Sequence, residues 1–391
     1  MKRSLKLSPG RSMVTFLFIL LASIHSPAQF TSNLISPEIS SDNTVTFRIH
    51  APNSDDVQLT GSWMAFNETA KLIKGDTGTW TLTVGPLAPE LYGYNFIVDG
   101  VNTLDPLNKH IKRDGTWRVE NVLFIRGTAS DLYEPKTGPK GTVSQVWYSS
   151  PTLGMTRRMI VYTPPGYAEG NEKYPVMYLL HGGGGDEEAW PDLGVAPTIM
   201  DNLINQKKAV PMIVVMTNGN PDQAAAYTET PVLDNPSRGA AGMANKMFEE
   251  SLVKDVIPYI EKNYRVKTGK QNRALTGLSM GGLQTMNTTF KYPDMFNYIG
   301  VMSMGFADLS AFGIEVDLSE RDQQIDALKK ADPKLYWIAC GKDDFLYESV
   351  TTMRKELDEH GFDYTYREST GGHTWSNWRI YLSEFAPMLF K

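Results

Sequence analysis

The chain has 391 residues, 41% of them hydrophobic and 21% charged, with a formal net charge of −6 and a single cysteine. This is an ordinary globular composition without a basic tract, so it offers no electrostatic footing for a nucleic-acid backbone or an anionic membrane surface. One thiol rules out an internal disulfide and a multi-thiolate metal site, and the length suits two domains, one near about 100 residues and one near about 250.

Residues 1–28 read as a signal peptide. Lys2, Arg3, Lys6 and Arg11 make a positive start, "MVTFLFILLASI" is an apolar run of secretory length, and Ser26 and Ala28 supply small residues at a cleavage point. The run is short for a membrane span. Export without stable membrane insertion is therefore expected, with a mature chain beginning near Gln29.

Residues 29–126 carry short alternating segments, "TVTFRIHAP", "DVQLTGSW", "TWTLTVGPL", "YGYNFIVDG" and "ENVLFIRG", separated by Pro, Gly, Asn and Asp. Period-two alternation between turn residues predicts an antiparallel β-sandwich. Residues 127–140 lack periodicity and are rich in Gly, Pro, Ser and Thr, which marks a linker.

From residue 141 to 391 the rhythm becomes strand, helix, strand. "YPVMYLLHG", "PMIVVMTNG", "RALTGLS", "YIGVMSM" and "KLYWIACG" are continuous apolar runs, as expected of strands covered on both faces. In "MFEESLVKDVIPYIEKNY" the residues Phe248, Leu252, Val256 and Ile260 recur at helical spacing, and so do Val350, Met353 and Leu357, with Gly361 as a stop. This alternation predicts a mainly parallel sheet with helices on both faces, whose binding sites lie at the carboxyl ends of the strands. Cys340 ends one of the apolar runs and is expected to be buried and inert.

"GLSMGG", residues 277–282, follows one such strand and opens a helical stretch. Gly277 and Gly281 let strand and helix approach around a serine held on a sharp turn, which lifts the Ser279 hydroxyl clear of the backbone. A serine needs a base, and an imidazole is the usual one. His25 falls in the leader, His50 and His110 in the sandwich, and His360 at a helix end before a glycine. His181 comes too early for the Ser, acid, His chain order of this architecture, which leaves His373 in "STGGHTWSNW". The acid belongs at the end of the preceding strand, where Asp343 and Asp344 both stand; spacing does not separate them. "HGGGGDE" leaves backbone N–H groups uncovered and can supply one oxyanion donor, with Met280 supplying the other. It lacks the Gly-Lys-Ser/Thr ending and the Gly-x-Gly-x-x-Gly spacing of nucleotide-binding loops.

Taken together, "VYTPPGY", "YPVMYLLHGGGGDEEAW", "PMIVVMTNG", "RALTGLSMGG", "CGKDDFL" and "GGHTW" resemble carbohydrate esterase family 1, the group that includes feruloyl and acetylxylan esterases and is similar to enterochelin esterase. The resemblance covers residues 141–391 and implies an α/β-hydrolase fold, with Ser279 as nucleophile, His373 as base and Asp344 as acid. It also implies oxyanion donors at Met280 and Gly183, and neither metal nor cofactor. Residues 29–126 resemble the family 48 carbohydrate-binding module, an immunoglobulin-like sandwich, through "FRIHAPNSDDVQLTGSW" and "FIVDGVNTLDPLN". Trp63, Trp80, Tyr92, Tyr94 and Trp117 could form a sugar platform there or fill the sandwich core.

The expected activity is that of an exported serine esterase releasing ferulate or related hydroxycinnamates from plant polysaccharide such as arabinoxylan. Acetylxylan esterase, siderophore esterase and a non-catalytic carbohydrate-binding protein are the alternatives. Trp190, Tyr227 and Trp375 lie near the loops that would line or close an acyl pocket. The sequence leaves the oligomeric state open.

Overall fold

The computed structural model describes residues 34–65, 67–115, 118–226, 246–306 and 320–391. The leader 1–28, Trp117 and Tyr227 therefore lie outside the described residues.

The amino-terminal part forms two antiparallel sheets. In the first, Val45–His50 lies between Glu38–Ile39 and Thr79–Val84, which also pairs with Ile73–Lys74. In the second, Glu90–Val98 runs between Val57–Gly61 and Arg118–Ile125, with Ile111–Asp114 on the outer side of the latter. Alternate residues of both sheets, Val45, Phe47 and Ile49 from one and Leu59, Tyr94, Phe96 and Leu123 from the other, meet in a shared core. Period-two spacing puts these side chains on one face of each strand, so pairing the faces removes them all from water together.

Four of the five candidate platform residues pack in or against this core. Trp80, Tyr92 and Tyr94 are buried, and Trp63 stacks on Phe47 and meets Tyr92 edge-on. The same alternation that marks the strands turns these rings inward.

The segment expected to be a bare linker contains a 3-10 turn, Thr128–Tyr133. It is held by side chains rather than by periodicity: Ser130 Oγ donates to Ile125 O, and Asn202 Nδ2 donates to Leu132 O and Glu134 O.

The carboxyl-terminal part is built on an eight-stranded sheet. Its spatial order is Thr142–Ser150, Met155–Thr163, Ile213–Thr217, Val176–Leu180, Arg273–Leu278, Tyr298–Met302, Leu335–Gly341 and Thr365–Ser369. Met155–Thr163 runs antiparallel to both neighbours, and every later pairing is parallel. The central strands are buried throughout apart from Arg273 at the start of one, because helices cover both faces. Cys340 is fully buried among the residues of one of these faces.

The helical run from Met247 to Asn263 contains a π turn at Leu252–Val256, where Ile257 N–H bonds to Leu252 O. Pro258 has no N–H to continue the ordinary ladder. Residues spaced strictly by four drift around an α-helix, and the wider π turn cancels that drift. Phe248, Leu252, Val256 and Ile260 are accordingly all buried.

One ion pair ties the first part to the last helix, Trp375–Phe385. Arg379 is 1% exposed and donates to Glu90 Oε1 at 3.2 Å, Leu91 O at 2.7 Å and Leu193 O at 2.6 Å. Removing one partner of a buried pair strands the other charge. Arg379→Met is expected to lower unfolding free energy by about 3–5 kcal/mol in urea titrations, and Glu90→Gln, which keeps a hydrogen-bond acceptor, by less.

Candidate active site

Ser279 joins the strand Arg273–Leu278 to the helix Met280–Lys291 with φ 52° and ψ −119°. Positive φ at a residue bearing a Cβ costs about 1–2 kcal/mol, and close packing on both sides enforces it here. A Cβ at Gly277 would lie 2.5 Å from the Gly281 backbone, and one at Gly281 would lie 2.6 Å from His181 O. Ser279 N–H donates to Met302 O on the neighbouring strand at 2.9 Å, and Leu283 N–H donates to Ser279 O at 3.0 Å. Both peptide groups of the serine are thus fixed. Its side chain sits at the head of a helix whose first N–H groups have no partner within the helix.

The glycine loop begins at His181, which closes the strand Val176–Leu180. Burial pushes the imidazole pKa of His181 down, and the hydrogen bond from Gly219 N–H calls for an unprotonated Nε2. Its Nε2 accepts from Gly219 N–H at 2.7 Å, which leaves Nδ1–H to donate to Gly182 O, also at 2.7 Å. This histidine therefore fastens the glycine loop to the neighbouring loop and takes no proton from Ser279. A Cβ at Gly182 would lie 3.3 Å from Ser279 Cβ, whereas one at Gly183 would meet nothing within 4 Å. Gly183 thus faces open space on a loop packed directly beside Ser279.

His373 stands between the last strand, Thr365–Ser369, and the last helix. Its Nδ1 lies 3.0 Å from both carboxylate oxygens of Asp344, which is 4% exposed. Asp344 Oδ1 also accepts from Leu346 N–H at 2.9 Å. Burial works to raise the Asp344 carboxyl, but the His373 contact and charge, with the Leu346 N–H and the Ser303 hydroxyl, outweigh it and hold the carboxyl below its usual value. Asp343 serves elsewhere. Its Oδ2 accepts from Gly371 N–H at 3.2 Å and its own N–H donates to Gly371 O at 3.1 Å, pinning the loop that carries His373.

Sheet register brings these groups to one end of the sheet. Leu278 pairs with Met302, and Met302 pairs with Ala339. Ser279, Ser303 and the turn carrying Asp344 thus leave adjacent strands in sequence. Ser303 has φ 51°, donates its N–H to Ala339 O at 2.8 Å, and accepts from Trp378 Nε1 at 3.0 Å. The Trp378 ring in turn meets the His373 ring edge-on at 4.9 Å. Ser279 Oγ and His373 Nε2 are not hydrogen-bonded to each other; contacts of this kind commonly close only around the reacting group.

Residues 150–389 match the esterase family described as "Putative esterase". The chain belongs to this esterase family. An endo-1,4-beta-xylanase/feruloyl esterase of Xylanibacter ruminicola is 32% identical over 364 residues, covering 91% of this chain, which spans 46% of that relative's length. A solved ferulic acid esterase is 27% identical with a TM-score of 0.50, the match covering 64% of this chain and 98% of that one. The enterobactin esterase FES of Shigella flexneri, solved in the presence of enterobactin, superposes with a TM-score of 0.67 over 92% of this chain and 96% of its own, at 16% identity. That likeness concerns the fold, which is of the α/β-hydrolase type.

Around the candidate site, the three aromatic residues singled out from sequence fare differently. Trp190 is 1% exposed, with its Nε1 donating to Leu180 O at 2.9 Å, so it does not line a pocket. It buttresses Trp375, which is half-buried and meets Trp190 and Trp378 edge-on, each at 5.2 Å. Tyr227 lies outside the described residues. Phe345 escaped the sequence reading. It is 67% exposed and its ring lies 4.4 Å from that of His373. The signal was an apolar residue directly after Asp344 in "KDDFLYE", where a strand has ended and burial is not expected.

Proposed function

We propose that the chain is an exported serine esterase that releases hydroxycinnamates such as ferulate from plant cell-wall polysaccharide. The observation that carries this reading is the His373–Asp344 pair, at 3.0 Å to both oxygens, at the same end of the sheet as the strained Ser279 turn and the glycine loop. The feruloyl esterase names of the relatives support the acyl group.

In this reading Ser279 Oγ attacks the ester carbonyl while His373 Nε2 takes its proton. Asp344 holds Nδ1–H and steadies the imidazolium. The tetrahedral oxyanion takes N–H donors from Met280 and Gly183, each worth about 3 kcal/mol of transition-state stabilisation. Collapse expels the sugar hydroxyl with the proton from His373. Water, deprotonated by the same nitrogen, then displaces the acid and restores Ser279. The reaction so written calls for no metal or cofactor.

Phe345 fits the aromatic side of such a substrate, because an exposed ring beside the base offers a face to the cinnamoyl plane. Phe345→Ala is expected to raise KM for methyl ferulate by about tenfold, the loss of one ring contact worth about 1.4 kcal/mol, and to leave KM for a small acetyl ester nearly unchanged. Ferulate and acetate release from feruloylated and acetylated xylan tests the substrate class; preferential acetate release would make the chain an acetylxylan esterase. A carbohydrate-binding scaffold without chemistry would fail to react with a fluorophosphonate at Ser279.

Export is proposed from the pattern of residues 1–28. Among the described residues no helix is long and apolar enough to cross a membrane. The reading of the amino-terminal sheets as a carbohydrate-binding-module-like sandwich rests on its sequence resemblance and on the shared core of the two sheets.

A further inference from the structure

The oxyanion loop assigned above contains four consecutive glycines, Gly182–Gly185, and has no side chain of its own with which to hold a shape. Glycine loses more conformational freedom on ordering than any other residue, so the position of the Gly183 N–H depends on what flanks the loop. On one side stands His181, already described. On the other stand Asp186, Glu187 and Glu188, three adjacent carboxylates that are buried or nearly so.

Their partners come from two distant parts of the chain. Arg158, on the strand Met155–Thr163, bonds to Glu187 at 2.6 Å and to Glu188 at 2.5 Å. Arg113 comes from the amino-terminal sheets, on the strand Ile111–Asp114. Its Nη2 donates to Asp186 Oδ1 at 2.7 Å and to Glu188 Oε2 at 3.2 Å, and its Nη1 lies 2.6 Å from Asp186 Oδ2. The side chain of Asp186 is wholly buried. Its Oδ1 also accepts from Glu188 N–H at 3.0 Å, closing the turn that follows the glycines.

A backbone contact accompanies the ion pairs. Gly115 has φ +53°, and a Cβ built on it would lie 2.0 Å from Gly184 O. Arg113 Nη1 donates to Gly115 O at 2.5 Å, so one guanidinium fixes both the end of the amino-terminal strand and the flank of the glycine loop. Loop and strand end are in direct contact one residue beyond Gly183.

We propose that Arg113 and Gly115 position the oxyanion loop, so that the amino-terminal sheets complete the esterase active site in the same chain. This inference rests on the esterase reading of Ser279 and Gly183. Neither residue touches the reacting atoms; both act through the glycine loop. A planar bidentate guanidinium holds two directions at once, which a lysine ammonium does not.

The test uses the full chain with p-nitrophenyl butyrate, an ester that is neutral with respect to the natural acyl group. Arg113→Met, Arg113→Lys and Gly115→Ala are compared with the parent, and rates are taken per serine titrated by a fluorophosphonate. Arg113→Met and Gly115→Ala are expected to lower kcat by about 100-fold, the loss typical of a misplaced donor. KM and the midpoint of the pH profile should stay unchanged, and Arg113→Lys should recover part of the rate. A parental kcat per titrated serine in both Arg113→Met and Gly115→Ala overturns the proposal, as does a loss explained wholly by a smaller folded fraction. Ser279→Ala run alongside separates the two levels: if it retains the parental rate, the esterase reading fails instead.

Discussion

Ser279→Ala is expected to reduce kcat on a methyl hydroxycinnamate by roughly 10⁶-fold, as loss of the nucleophile does in a serine hydrolase. The reason is chemical rather than structural. The turn is fixed by Ser279 N–H on Met302 O, by Leu283 N–H on Ser279 O, and by the crowding of Gly277 against Gly281. None of these involves the hydroxyl, so alanine is expected to fold with the same loop geometry. Unchanged urea unfolding beside an abolished rate is the result to look for. The variant should also fail to take up a fluorophosphonate. Hydrolysis at the parental rate would remove Ser279 from the reaction and with it the proposed function.

The second large effect separates two neighbouring carboxylates. Asp344→Asn is expected to lower kcat by about 10⁴-fold, because an amide favours the wrong imidazole tautomer. Asp343→Asn keeps an oxygen to accept from Gly371 N–H and should cost far less. Asp344 also carries a pH dependence of stability. A carboxyl held below its usual pKa in the folded state stabilises the fold above its unfolded pKa, about 3.9. That contribution disappears as pH falls through the lowered folded value. Asn cannot titrate, so Asp344→Asn should flatten the fall of stability below about pH 4. Equal losses of kcat in the two variants would contradict the assignment of Asp344 as the acid.

Much of this architecture was readable in the chain. Apolar runs and turn residues marked the strands, and the i+4 series from Phe248 to Ile260 marked a helical face that the structure buries. The π turn inside it was not legible, because a spacing of four is equally consistent with an uninterrupted helix. The grouping of Ser279, His373 and an adjacent aspartate at one end of the sheet followed from strand order. The choice between Asp343 and Asp344 did not, since both follow the same strand and only the direction of each side chain separates them. Trp190 misled for a related reason: nearness to a loop in sequence does not say which way a large ring turns, and here it turns inward toward Leu180 O. Arg113 could not have been found at all. Its partners lie 73 and 75 positions away, and a lone arginine on a strand end looks like any solvated charge.

Cys340 has a practical consequence for handling the protein. It is the only cysteine in the chain, it is fully buried, and burial, followed by the nearby Asp344 charge, pushes its thiol up to about 12. At neutral pH such a thiol is almost wholly protonated and does not attack maleimides or iodoacetamide. A cysteine engineered onto an outer surface would then be the sole handle for a fluorophore or a solid support, with no need to remove the native one first.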